Sequence, residues 1–99
     1  MTAAISITRS EDGSKGRYEA SVEGHEATGE LTYSRMSDTK IIADHTGVDD
    51  SLRGTGVGKA LVERLVADAR EEGFQIVPLC PFVNAQRQRH PEWADVFDA

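Results

Sequence analysis

Arg53, Gly54, Gly56, Gly58 and Lys59 fall within the run Ser51-Leu-Arg-Gly-Thr-Gly-Val-Gly-Lys59, a spacing suited to holding a phosphate. Glycines at alternate positions remove the Cβ atoms that would keep an anion away from backbone N–H groups. The run leads into Ala60-Leu-Val-Glu-Arg-Leu-Val-Ala-Asp-Ala-Arg-Glu-Glu72, which has a helical pattern. The first turn of such a helix offers unpaired N–H groups at the positive end of its dipole. Arg53 can add a charge-assisted, bidentate contact to a phosphate oxygen. Cys80, His45 and His90 are the other side chains with nucleophilic or acid-base chemistry in reach.

Three phosphate motifs compete for the glycine run. A P-loop needs G-x-x-x-x-G-K-[ST], but Gly54 is followed five residues later by Lys59 and then by Ala60. Neither the spacing nor the hydroxyl for Mg²⁺ is present. A dinucleotide fingerprint needs G-x-G-x-x-G, and Gly54-Thr-Gly56-Val-Gly58 spaces the third glycine wrongly. The pattern R-x-x-G-x-G/A, carried by Arg53, Gly56 and Gly58, resembles the pyrophosphate loop of the GNAT (GCN5-related) acetyltransferases, where it binds coenzyme A.

Composition narrows the partners. The chain of 99 residues has the size of one domain, 1–99, with a modest core. Its net charge of −6 comes with no run of Lys or Arg, which argues against nucleic acid or an anionic membrane. Local basic features are Arg53 with Lys59, and Arg87 with Arg89. A single cysteine excludes an internal disulfide and a cysteine-based zinc cluster. His25, His45 and His90 share no ligand spacing, so no metal is expected. No apolar run reaches spanning length, and Met1-Thr-Ala-Ala-Ile-Ser lacks a basic stretch followed by an apolar one, so the expected location is cytoplasmic.

To position these groups the chain must first build a sheet. Ile5 and Ile7 alternate with polar neighbours, Glu11–Ser14 supply a turn, and Tyr18, Ala20 and Val22 alternate again as a hairpin. Ala27, Gly29, Leu31 and Tyr33 continue the period of two. A turn at Ser37-Asp38 precedes a fourth strand, Lys40–Val48, and Asp49-Asp50-Ser51 form the loop into the cradle. The expected fold is therefore α/β (α+β): an antiparallel meander of four strands, then β-α-β with a C-terminal helix. In the central helix Val57, Leu61, Val62, Leu65, Val66 and Ala69 make one apolar stripe, Asp68 faces water, and Gly73 ends the helix. Phe74–Cys80 reads as a fifth strand parallel to the fourth. Pro78 argues against full pairing of its far half. Ligands collect at the carboxyl ends of such strands, here His45–Val48 and Leu79–Pro81.

Further motifs bring the resemblance closer. Asp44-His-Thr-x-Val48, Leu52-Arg-Gly-x-Gly-Val-Gly-Lys59, Val77-Pro-Leu-Cys-Pro-Phe-Val83 and His90-Pro-Glu-Trp93 resemble the small stand-alone GNAT-like proteins of the YjdJ type, from about Tyr18 onward. The resemblance implies a miniature GNAT fold that binds acetyl-CoA and acts as an N-acetyltransferase on an amine, either a small molecule or a protein lysine or amino terminus. It implies that Arg53, Gly54, Thr55, Gly56, Val57, Gly58 and Lys59 hold the pyrophosphate, and that backbone groups of Val48 hold pantetheine. It also implies that Cys80 lies near the acetyl group.

The chain departs from the usual family pattern. The helices between the first two strands that help build the acceptor site are absent, and no tyrosine stands between Val83 and Pro91 to protonate the departing thiolate. An open cleft then suggests a macromolecular acceptor or one completed by a second subunit in a homo-oligomer. The acidic surface favours a cationic acceptor.

Each chemical residue has a structural reading beside the catalytic one. Cys80 is either a nucleophile or an inert packing residue. His45 or Asp44, whichever faces the cleft on an alternating strand, is either a base or a satisfied strand residue. His90 caps the last helix before Pro91, and Trp93 and Phe97 close the core or mark an association surface. The alternative to an enzyme is a non-catalytic acetyl-CoA-binding or sensing module.

Overall fold

The computed structural model describes residues 4–98. Met1–Ala3, part of the amino-terminal stretch behind the cytoplasmic expectation, and Ala99 lie outside the described residues. Strands β1 (Ile5–Asp12), β2 (Lys15–Val22), β3 (Thr28–Ser37) and β4 (Lys40–Val48) form an antiparallel meander. A 3₁₀ turn (Asp50–Leu52) and helix α1 (Val57–Glu72) follow. Strand β5 (Gln75–Val77) then runs parallel to β4, giving the order β1-β2-β3-β4-β5. Helix α2 (Pro81–Arg89) and a 3₁₀ segment (Pro91–Val96) complete the α+β fold.

One face of the sheet is covered and the other is open. Tyr18, Ala20, Val22, Leu31, Tyr33, Ile41 and Ala43 alternate onto the covered face, where α1 lays down Val57, Leu61, Val62, Leu65, Val66 and Ala69. Trp93, Val96 and Phe97 close this core, in keeping with the core-closing reading of the two aromatics. Phe97 bridges to Ile76 and Asp98 N–H donates to the Ile76 carbonyl at 2.9 Å, so the far edge of β5 is occupied. The opposite face carries Lys15, Arg17, Glu19, Glu30, Thr32 and Ser34, all partly or fully exposed.

Two sequence expectations are corrected. The fifth strand is Gln75–Val77 rather than Phe74–Cys80, because Pro78 supplies no ladder donor and the chain turns away to start α2. Helix α1 begins at Val57, which heads the apolar stripe as expected, with Gly58 and Lys59 in the same first turn. Asp68 does not face water: it is buried and accepts hydrogen bonds from Tyr18 Oη (2.7 Å), Arg64 Nε (3.2 Å) and Arg9 Nη1 (3.3 Å). A buried carboxylate persists only when paired in this way. Arg9 also bonds Tyr33 Oη at 3.0 Å and pairs with Glu72, tying the edge strand to α1. The C′ role of Gly73 is as expected: φ is +77° and its N–H donates to the Ala69 carbonyl.

Candidate functional site

The cradle is held by its ends. Asp49 caps the 3₁₀ turn by accepting from the Ser51 amide (2.9 Å) and hydroxyl (2.7 Å), which holds its carboxyl below the usual range. Leu52 anchors the loop in the core, and the Thr55 hydroxyl donates to the Leu52 carbonyl at 2.6 Å. Gly54 and Gly56 adopt φ of +85° and +82°, a region that L side chains avoid. An added Cβ at either meets nothing within 4 Å, so their outer sides are open. Gly56 is the N-cap of α1, with no side-chain cap and no acidic residue in the first turn. The N–H groups of that turn are thus left to an outside partner; the acidic groups on the cleft wall are Asp49 and Asp50 at the preceding 3₁₀ turn, with Arg53 and Lys59 beside them.

This helix start opens into a cleft of about 540 Å³, within the range of ligand sites. Of the residues expected from sequence, Val48, Arg53, Gly54, Gly56, Val57, Gly58 and Lys59 line it. Thr55 does not; its hydroxyl is spent on the loop. Phe82 and Gln86 form the opposite wall and had no assigned role from sequence; their i, i+4 spacing on α2 was the available signal. Arg53 is exposed and, among the described residues, its one ion pair is a 3.4 Å contact with Asp50, so its guanidinium is free to reorient toward an anion. Lys59 has no ion-pair partner among the described residues.

Beside the cleft the two parallel strands part. β5 ends opposite Ile42, and the Cys80 N–H donates to the Ala43 carbonyl at 2.8 Å as the last link. From Asp44 to Val48 the outer edge of β4 has no strand beside it among the described residues. Backbone groups on that edge can bond an extended, amide-rich chain.

A bulge reorders the candidate catalytic residues. Tyr33 pairs with Ala43 but Thr32 pairs with His45, leaving Asp44 as the extra residue. Asp44 therefore accepts from Ser34 Oγ (2.6 Å) on the open face, and His45 is exposed there too, opposite Thr32. The expected opposition of Asp44 and His45 is lost because the bulge breaks the alternation. Thr46 returns to the covered side, where the Cys80 thiol donates to its hydroxyl at 3.4 Å. Cys80 is buried and N-caps α2; Thr46, not His45, is its partner, a contact that only the bulge creates. His90 ends α2 as expected, its ring stacked on Trp93 at 4.0 Å. Among the described residues no group of three or more His, Cys, Asp or Glu could hold a metal ion. Among the same residues no helix is long and apolar enough to cross a membrane.

A second hollow of about 440 Å³ lies at the hairpin end, lined by Glu11, Lys15, Arg17 and Asp44 among others. Its charges are largely paired, Arg17 with Glu19 and Glu30, and Arg35 with Glu11. It has no free helix terminus, so the cradle is the better ligand site.

The fold and the open helix start define an acetyl-transfer domain of the GCN5 type. The chain belongs to the GCN5-related N-acetyltransferase family, whose model matches residues 17–96. Among solved structures it is similar to a GCN5-like protein from Staphylococcus aureus determined in solution by NMR. That likeness has a TM-score of 0.73 and 31% identity, over 95% of this chain and 88% of the other. No curated protein matches the chain.

Proposed function

We propose that the protein is an acetyl-CoA-dependent N-acetyltransferase acting on an amine, with residues 1–99 working as one unit. The observation that carries this is the uncapped start of α1 behind Gly54 and Gly56, opening into the cleft. The chain's own residues fit the group: amides of Val57, Gly58 and Lys59 suit a pyrophosphate, Arg53 clamps it, and the open β4 edge to Val48 suits the pantetheine amides. Acetyl-CoA supplies an activated acetyl thioester.

Two routes to the amine are compatible with this arrangement. In one, Cys80 accepts the acetyl group: a carbon–sulfur bond forms at Cys80 as the original thioester bond breaks, and the proton lost by the Cys80 thiol goes to the departing sulfur, so that coenzyme A leaves as thiol. The amine nitrogen then displaces Cys80, forming an amide as the Cys80 thioester bond breaks, and the proton the nitrogen loses restores the thiol. Thr46 would orient that sulfur. In the other, the amine attacks the thioester directly. We assign His45 as base toward an amine arriving over the open face, supported by its exposure there. The net charge of −6 favours a cationic acceptor, such as a polyamine or a lysine-rich protein.

Burial of Cys80 favours a second reading, a non-catalytic acetyl-CoA-binding module. Calorimetric titration with acetyl-CoA, and in parallel with pantetheine lacking the pyrophosphate, tests the common core. Micromolar binding of the first, about −8 kcal/mol, with clear loss for the second is expected. Absence of binding would overturn both readings. An amine panel with acetyl-CoA then separates enzyme from sensor.

A further inference from the structure

Gly58 differs from the other two cradle glycines. It lies in the first turn of α1 with helical geometry, so no positive φ demands glycine there. What demands it is a neighbour: a Cβ at position 58 would stand 2.8 Å from Phe82 Cζ and 3.3 Å from Cε2. The Phe82 ring, partly exposed in the wall of the cleft, occupies the space that a side chain at 58 would take.

We propose that Phe82 is a positioning residue of the cofactor cleft: seated on Gly58, its ring holds α2 against the first turn of α1 and sets the width available between the cradle and α2. The proposal rests on the acetyl-CoA reading and deepens it. Gly54 and Gly56 serve the backbone path and the approach of an anion, whereas Gly58 serves the aromatic wall. The atom in the way is the far end of a side chain with freedom to rotate. A methyl at 58 therefore expels the ring rather than breaking the fold, and the ring's free side is the cleft. Alanine in a helix is also better than glycine by about 1 kcal/mol, so stability and binding should move in opposite directions.

The test is calorimetric titration with coenzyme A, with thermal melts, for wild type, Gly58→Ala, Phe82→Ala, Phe82→Leu and the double variants. Gly58→Ala should keep or raise the melting temperature while weakening binding about tenfold, the equivalent of 1.4 kcal/mol. Gly58→Ala with Phe82→Ala or Phe82→Leu should bind better than Gly58→Ala alone, because the smaller side chain leaves room for the methyl. Undiminished binding by Gly58→Ala, or double variants whose losses simply add, would overturn the proposal and leave the cofactor reading standing. If wild type itself binds no coenzyme A, both fall together.

Discussion

Cys80 and Thr46 meet across 3.4 Å on the covered side of the sheet, while His45, the preceding residue on β4, faces the open side. The nucleophile and base candidates therefore do not form a pair, and any Cys80 chemistry is coupled first to a threonine hydroxyl. If acetyl transfer runs through Cys80, Cys80→Ala should keep its affinity for acetyl-CoA and lose transfer. Thr46→Val should slow transfer roughly tenfold, the worth of one lost hydrogen bond of about 1 kcal/mol or slightly more. Steady-state rates beside a binding titration read both. Full activity in Cys80→Ala would assign direct attack by the amine.

Gly56→Val should abolish acetyl-CoA binding, because its side chain would project from the open side of the helix start. With φ at +82° the same change strains the backbone, at a cost of about 1–2 kcal/mol. The urea midpoint should therefore fall while the protein stays folded in buffer. Normal binding by a folded Gly56→Val protein would remove the cradle from the ligand site.

Legibility in the sequence followed the range of the interactions. The strand ends at Val48, the helix stop at Gly73 and the cradle were visible because period, turn residues and glycine spacing are local signals. The burial of Asp68 is not legible locally, because its partners Tyr18 and Arg9 lie 50 and 59 residues away and only the folded sheet assembles them. The bulge at Asp44 left no mark either, since it arises from register between β3 and β4. Phe82 escaped for the same reason: its significance is a contact with Gly58 across two helices.

Arg53 offers a test of the electrostatic share. Its side chain is 84% exposed and its contact with Asp50 is long, so Arg53→Ala should leave the melting temperature unchanged. Binding of coenzyme A should weaken about tenfold or more, as expected for a charge-assisted hydrogen bond of about 1.5–3 kcal/mol. Pantetheine without the pyrophosphate should bind wild type and variant alike. An equal loss for both ligands would mean that Arg53 shapes the loop rather than holding phosphate.

The Tyr18–Asp68 bond at 2.7 Å sets a pH dependence of stability. Burial first, and donation to Asp68 second, push the Tyr18 phenol above its ordinary value of 10.0. Burial also raises Tyr33. A raised folded-state value means that the unfolded chain loses its proton first as pH increases. The stabilisation is thus complete below about pH 10 and declines above it, by at most about 1.4 kcal/mol per pH unit for each phenol. Tyr18→Phe deprives the buried Asp68 of a donor and should cost about 1.5–3 kcal/mol at pH 7. It should also give a shallower decline above pH 10, and the difference between the two proteins isolates Tyr18 from other groups that titrate there. Urea unfolding between pH 7 and 11 measures both effects. Parallel curves for the two proteins would show that this phenol meets the same surroundings folded and unfolded, contrary to its place beneath α1.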